Sequence, residues 1–114
     1  MSLGVILALA GGSNGFQKVI GDAVARMHAE MNVPFSGDAD RDFARMMIPH
    51  HQGAIDMAIA ELRYGKDKRL IRLAQEIIVE QQQEIMVMHL ALGDPLPPGK
   101  AAPTQTEPEA PGEH

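Results

Sequence analysis

From Gln17 to Leu92, apolar side chains recur every three or four positions, the spacing of a buried stripe on a helix. The first run spans about Gln17 to Asn32, with Ile20, Val24, Met27 and Met31 on one stripe and Gly21 weakening it slightly. Val33-Pro34-Phe35-Ser36-Gly37 stops this helix and forms a turn. The second run begins near Asp38 or Asp40. Either is a good N-cap, because a short carboxylate can accept from the unpaired N–H groups of the first turn. It ends at Tyr64, with Gly65 as the residue just past the helix. The third begins near Asp67 and ends at Leu92, where Gly93 and Pro95 are stop signals. Its inward stripe reads Leu70, Ala74, Ile77, Ile78, Gln81, Ile85, Met88 and Leu92. No stretch alternates apolar and polar residues as a strand does. The second and third helices are joined by only a few residues, so they should lie antiparallel. The expected fold is all-α: an antiparallel helical bundle of three main helices. Three such helices can leave an apolar face uncovered, which dimerisation into a larger bundle would close.

The two ends read differently. Leu3 to Ala10 is an apolar run closing in Ala8-Leu9-Ala10 and followed by Gly11-Gly12-Ser13. It is too short to span a bilayer, which takes about 20 apolar residues. It has the look of the late part of a secretory signal, without the basic segment that should precede it. A truncated signal, an ordinary short helix and a weak signal all fit; the first is preferred and makes the mature protein periplasmic or secreted. Residues 1–14 are thus a signal remnant or flexible N-terminus, 15–94 a helical domain, and 95–114 a tail. That tail is rich in Pro, Ala, Thr and Glu, buries little apolar surface and is expected to be disordered.

Composition narrows the chemistry. Fifteen acidic against ten basic side chains give a formal charge of −5, with no Lys/Arg cluster, which argues against a nucleic-acid partner. The absence of cysteine removes disulfides, zinc–thiolate sites and thiol nucleophiles. Methionine is in excess: of the seven beyond Met1, six lie within four residues of a histidine. Met at helical spacing is ordinarily a flexible core filler. Here the second helix places Met46, His50, Gly53 and Met57 on one face, and Met47 and His51 one turn apart on the adjacent face with Ile55 and Leu62. Gly53 leaves room beside His50 for a close approach by another helix or a ligand. Pro49 removes an N–H and crowds the carbonyl of Arg45, so a kink or break is expected just before the two histidines. The third helix offers Gln81, Glu84 and Met88, and a histidine from the second helix would satisfy Gln81. Met86 and His89 form an outward pair, and the first helix carries Met27, His28 and Met31. Thioethers select Cu(I), and imidazole suits copper in either oxidation state. Zinc would draw on Cys, His or carboxylate, and calcium on an oxygen-rich loop. A di-iron bundle site needs Glu-x-x-His motifs that are absent here. Copper, Cu(I) in preference, is therefore the expected ion.

The stretch from Gly37 to Ala58, centred on Met46-Met47-Ile48-Pro49-His50-His51-Gln52-Gly53-Ala54, resembles the DUF305 family of small, mostly bacterial, secreted or periplasmic helical proteins. Leu73-Ala74-Gln75-Glu76-Ile77-Ile78, the segment Gln81 to Met88 and the Met27-His28-x-x-Met31 cluster extend the likeness over about Met27 to Leu92. The resemblance implies a ferritin-like helical bundle and a link to copper binding and copper resistance. It carries over Met47, His50, His51, Met57 and Met88, together with Gln81 and Glu84, as functional positions. The family often has Trp-Leu where this chain has Ala91-Leu92, which alters packing at the end of the third helix rather than the candidate ligands.

Three functions compete. The first is a copper-binding protein that sequesters or passes on Cu(I), or also Cu(II), in the cell envelope. Its ligands would come from Met46, Met47, His50, His51, Met57 and Met88, with Gln81 and Glu84, and an auxiliary cluster at Met27, His28 and Met31. The second is a metal-free helical interaction module, with His50 and His51 as polar core or interface residues bonded to Gln81 and Glu84. The third is an enzyme using the two histidines and Glu84 as acid and base. It ranks last, because no nucleophile motif or phosphate loop is present.

Overall fold

The computed structural model describes residues 14–95. Within them the chain forms three helices and no strand: α1 (Asn14–Met31), α2 (Ala39–Tyr64) and α3 (Lys68–Leu92). The expected N-terminal segment 1–14 lies outside the described residues except for Asn14, which begins α1, and the expected tail 95–114 lies outside them except for Pro95. No described helix is long and apolar enough to cross a membrane.

Local chemistry sets the boundaries. Asp38, and not Asp40, caps α2: its carboxylate accepts from the backbone N–H groups of Asp40 and Arg41. Asp67 caps α3 in the same way through Arg69 and Leu70. Both caps satisfy amides that a helix start leaves unpaired. Gly93 closes α3 in the left-handed conformation, with φ 77°, and its N–H reaches back to the last turn. Gly65 ends α2 for a different reason from the one expected. Its backbone is extended, with φ −78°, so no left-handed cap forms. A side chain there would instead run into Glu61. Pro49 is buried inside α2, and the helix continues through it without a break.

The central element is α2, which carries both extensive helix–helix interfaces, with α1 on one side and α3 on the other. Each pair runs antiparallel. Along α1 and α2, Phe16 meets Tyr64 edge-on at 6.2 Å between ring centroids, while Arg26 bonds Asp56 at 2.9 Å nearer the other end. The helices α1 and α2 approach closely at Gly53, where the space a methyl would fill holds the side chain of Met27. The close approach expected beside His50 is thus made by α1. Between α2 and α3 the core is small and alanine-rich: Ile55, Ala58, Ala74 and Ile78, with Ile59, Leu62, Ile77 and Ile85 around them. Ile78 is fully enclosed.

The stripe predicted for α3 is largely inward, with one exception. Leu70 is 52% exposed, because it sits in the first turn, where α3 borders an open groove rather than a third helix. That groove, about 310 Å³, is lined by Ala54, Met57, Ala58, Leu70, Leu73 and Ile77 among others. It leaves apolar surface between α2 and α3 uncovered.

Candidate metal centre

The two histidines that follow Pro49 have opposite fates. Successive residues on a helix point about 100° apart, so His50 and His51 cannot share an environment. His50 is exposed, while the side chain of His51 is only 10% exposed and faces α3. Their rings are 6.1 Å apart and inclined at 60°.

His51 is anchored across the α2–α3 interface. Its Nε2 lies 2.6 Å from Oε1 of Glu84. A carboxylate has only lone pairs to offer, so the hydrogen of this bond belongs to the imidazole, and Nε2–H donates to Glu84. The other ring nitrogen, Nδ1, is buried and has no hydrogen-bond partner among the described residues. Buried polar atoms are rarely left unpaired, and one that is needs an explanation. An imidazole held by a carboxylate on one nitrogen, with the other nitrogen bare, is the arrangement metal-ligating histidines adopt. His51 therefore has the form of a metal ligand.

Soft donors flank it in sequence and on the helices. Met47 stands one turn before His51 on α2, and Met88 one turn after Glu84 on α3. Met88 is buried and Met47 half-buried. Thioether sulfur with imidazole is a donor set suited to Cu(I). Among the described residues, no group of three or more His, Asp or Glu side chains converges as a cation site.

The remaining predicted positions divide. Met46 and Met57 are half-buried, and Met57 lines the open α2–α3 groove. Met27 packs against Gly53, with its sulfur and its Cβ and Cγ all crowding that glycine. Its sulfur is thereby occupied in the α1–α2 contact. His28 is exposed and Met31 half-buried near the end of α1. Glu84 proves to be the partner of His51, a place the sequence reading also allowed to Gln81. Gln81 itself is half-buried on the neighbouring turn. The outward Met86 is exposed as expected, whereas His89 is half-buried and its Nδ1 bonds Asp94 at 3.0 Å, a pair not foreseen. The Arg26–Asp56 bond between α1 and α2 was likewise not foreseen, since charged residues 30 apart carry no local signal of pairing.

Two carboxylates outside this centre are shifted. The backbone N–H of Ser36, then its hydroxyl, hold Asp42 below the usual carboxylate range. The Arg69 side chain, then the backbone amides it caps, does the same to Asp67.

A family model described as "Domain of unknown function (DUF305)" matches residues 17–92, and the chain belongs to that family. The family's description assigns no function. The uncharacterized protein L153 of Acanthamoeba polyphaga mimivirus is 40% identical over 55 residues, which cover 48% of this chain and 36% of that relative. No solved structure matches the chain.

Proposed function

We propose that this DUF305 chain is a copper-binding protein, favouring Cu(I), which sequesters the ion or passes it on in the cell envelope. The observation that carries the reading is the bare, buried Nδ1 of His51, whose partner nitrogen is already held by Glu84. His51 would hold the ion through Nδ1, with Met47 and Met88 as thioether donors from the adjoining turns of α2 and α3. The copper ion is cargo, and the role is binding rather than catalysis. His50, Met46 and Met57, on the more open side of α2, would serve uptake and release. Met27, His28 and Met31 would form an auxiliary cluster, with Met27 the weakest member because it packs on Gly53.

The test is a titration of the full chain with Cu(I) against a competing chelator. Wild type should withdraw copper from the chelator, and His51→Ala and the Met47→Ala/Met88→Ala double variant should each lose affinity by tenfold or more. Equal retention by wild type and both variants would refute the ligand set. No retention by wild type would refute the function.

One observation favours a second reading, a metal-free helical module. The His51–Glu84 bond joins α2 to α3 and would serve cohesion alone. Melting separates the two. A bound ion stabilises the folded state by about 2.7 kcal/mol at a hundredfold excess over its dissociation constant, so added Cu(I) or Ag(I) should raise the melting temperature only under the first reading. A ferritin-like arrangement completed by a second copy is part of the proposal. Its support is the uncovered groove at Met57, Leu70, Leu73 and Ile77, and sedimentation of the full chain tests it. An envelope location is tested by fractionating cells that express the full chain.

A further inference from the structure

The sequence offers Glu84 as a metal ligand; its contact with His51 gives it another task. Glu84 Oε1 is 2.6 Å from Nε2 of His51, a contact that places an acceptor against one nitrogen of the buried ring. A neutral imidazole has two tautomers, and in isolation each nitrogen can carry the hydrogen. Here an acceptor faces Nε2, and Nδ1 has no hydrogen-bond partner among the described residues. With hydrogen on Nδ1, two faults would arise together. A bare Nε2 lone pair would face a carboxylate, and Nδ1–H would be a buried donor without an acceptor. With hydrogen on Nε2, the bond to Glu84 is made and Nδ1 is left as an open lone pair.

We propose that Glu84 is a positioning residue: it selects the Nε2–H tautomer of His51 and so presents Nδ1 as the copper donor before any ion arrives. This rests on the copper reading above. Glu84 reaches His51 across the helix interface from a side chain that is itself 57% exposed. Its second oxygen is therefore free to stay in water, while Oε1 orients the ring. The consequence is pre-organisation. Neither rotation of the ring nor proton rearrangement between its nitrogens is needed for the ion to bind.

The test uses the full chain labelled with ¹⁵N-histidine and has two readouts. The first, taken without metal at neutral pH, is the pair of ring-nitrogen shifts of His51, assigned by comparison with His51→Ala. The second is Cu(I) affinity against a competing chelator. Wild type should show an unprotonated Nδ1 and a protonated Nε2. In Glu84→Ala the two nitrogens should move toward averaged shifts, and affinity should fall by about ten- to a hundredfold, the usual effect of removing such a partner. Glu84→Gln keeps an oxygen that can accept from Nε2–H but adds an NH2 that can donate to a bare Nε2, so its shifts should fall between those of wild type and Glu84→Ala and its affinity should be recovered only in part. A smaller loss with an unchanged tautomer in Glu84→Ala would mark a merely structural role and overturn the proposal. Hydrogen on Nδ1 in wild type would overturn it as well. The expected tautomer in a wild type that holds no Cu(I) overturns this proposal together with the copper reading. Copper binding by wild type that Glu84→Ala matches in both readouts overturns this proposal alone. Helical circular dichroism of each variant establishes that the fold is intact when the shifts are read.

Discussion

Gly53 and Gly21 both sit inside helices, and replacing each by alanine should move stability in opposite directions. In a helix interior, Gly→Ala is favourable by about 0.8–1.0 kcal/mol, because alanine restricts the unfolded chain and shields the backbone. At Gly21 nothing among the described residues lies within 4 Å of the added methyl, so Gly21→Ala should gain the full amount. At Gly53 the methyl would lie 2.6 Å from Met27 Sδ and 3.2 Å from both its Cβ and Cγ. The sulfur can swing aside, but Cβ is tied to the backbone of α1, so the helix itself must recede by a few tenths of an ångström. Overpacking of this kind costs about 1–3 kcal/mol. Set against the propensity gain, Gly53→Ala should end between neutral and about 2 kcal/mol destabilised. The two variants should thus differ by about 1–3 kcal/mol, or several degrees in melting temperature for a domain of this size. Urea unfolding followed by helical circular dichroism measures both. The sharper form is a double-mutant cycle with Met27→Ala, in which Gly53→Ala should turn from a loss into a gain as the crowded side chain disappears. Equal stabilisation by Gly21→Ala and Gly53→Ala in the wild-type background would refute the close α1–α2 crossing. With it would go the reason for a glycine in the block that follows the two histidines.

Other outcomes follow from the same structure. Ile78→Ala empties the one fully enclosed large side chain of the α2–α3 core and should cost about 2–5 kcal/mol in the same urea assay. Asp38→Ala removes the acceptor for two first-turn amides of α2 and should cost about 1 kcal/mol. Asp42 and Asp67 have folded pKa values below the ordinary 3.8, so the unfolded chain binds their protons first as pH falls. The stability they contribute is complete above the unfolded value and is lost as pH drops through the depressed folded values. Melting temperature should therefore fall on acidification below about pH 4, and Asp42→Asn should flatten that fall; a profile identical to wild type would show that the Ser36–Gly37 contacts with Asp42 add no stability.

Much of this architecture is legible from local rules. Apolar spacing locates all three helices, and Asp67 and Gly93 announce the ends of α3 because a carboxylate cap and a left-handed glycine act within a turn of their own position. Gly65 shows where such rules stop. A glycine after a helix is usually read as left-handed, yet here the backbone is extended, and it is Glu61, four residues back, that leaves no room for a side chain. Leu70 follows the inward spacing but lies against an open groove, since periodicity gives direction around a helix and not the presence of a neighbour.

The candidate centre divides along the same line. That Met47 and His51 share a stripe, and that Glu84 and Met88 share another, follows from the helical repeat alone. Which histidine turns inward, and whether it meets Gln81 or Glu84, depends on the rotation and axial offset of α2 against α3. That offset follows from the packing of Ile55, Ala58, Ala74 and Ile78 between them, where the two small alanines let the helices approach and the two isoleucines fill the space beside them. The consequence is chemical. Had Gln81 met His51, its amide could have donated or accepted, and either ring tautomer would have been satisfied. A carboxylate accepts only, so the packing that brings Glu84 rather than Gln81 to Nε2 also decides that Nδ1 is the nitrogen left bare. Core volume at Ala58 and Ala74 is in this way coupled to the donor that faces a metal. Enlarging either alanine should disturb the His51 ring-nitrogen shifts before it disturbs helix content.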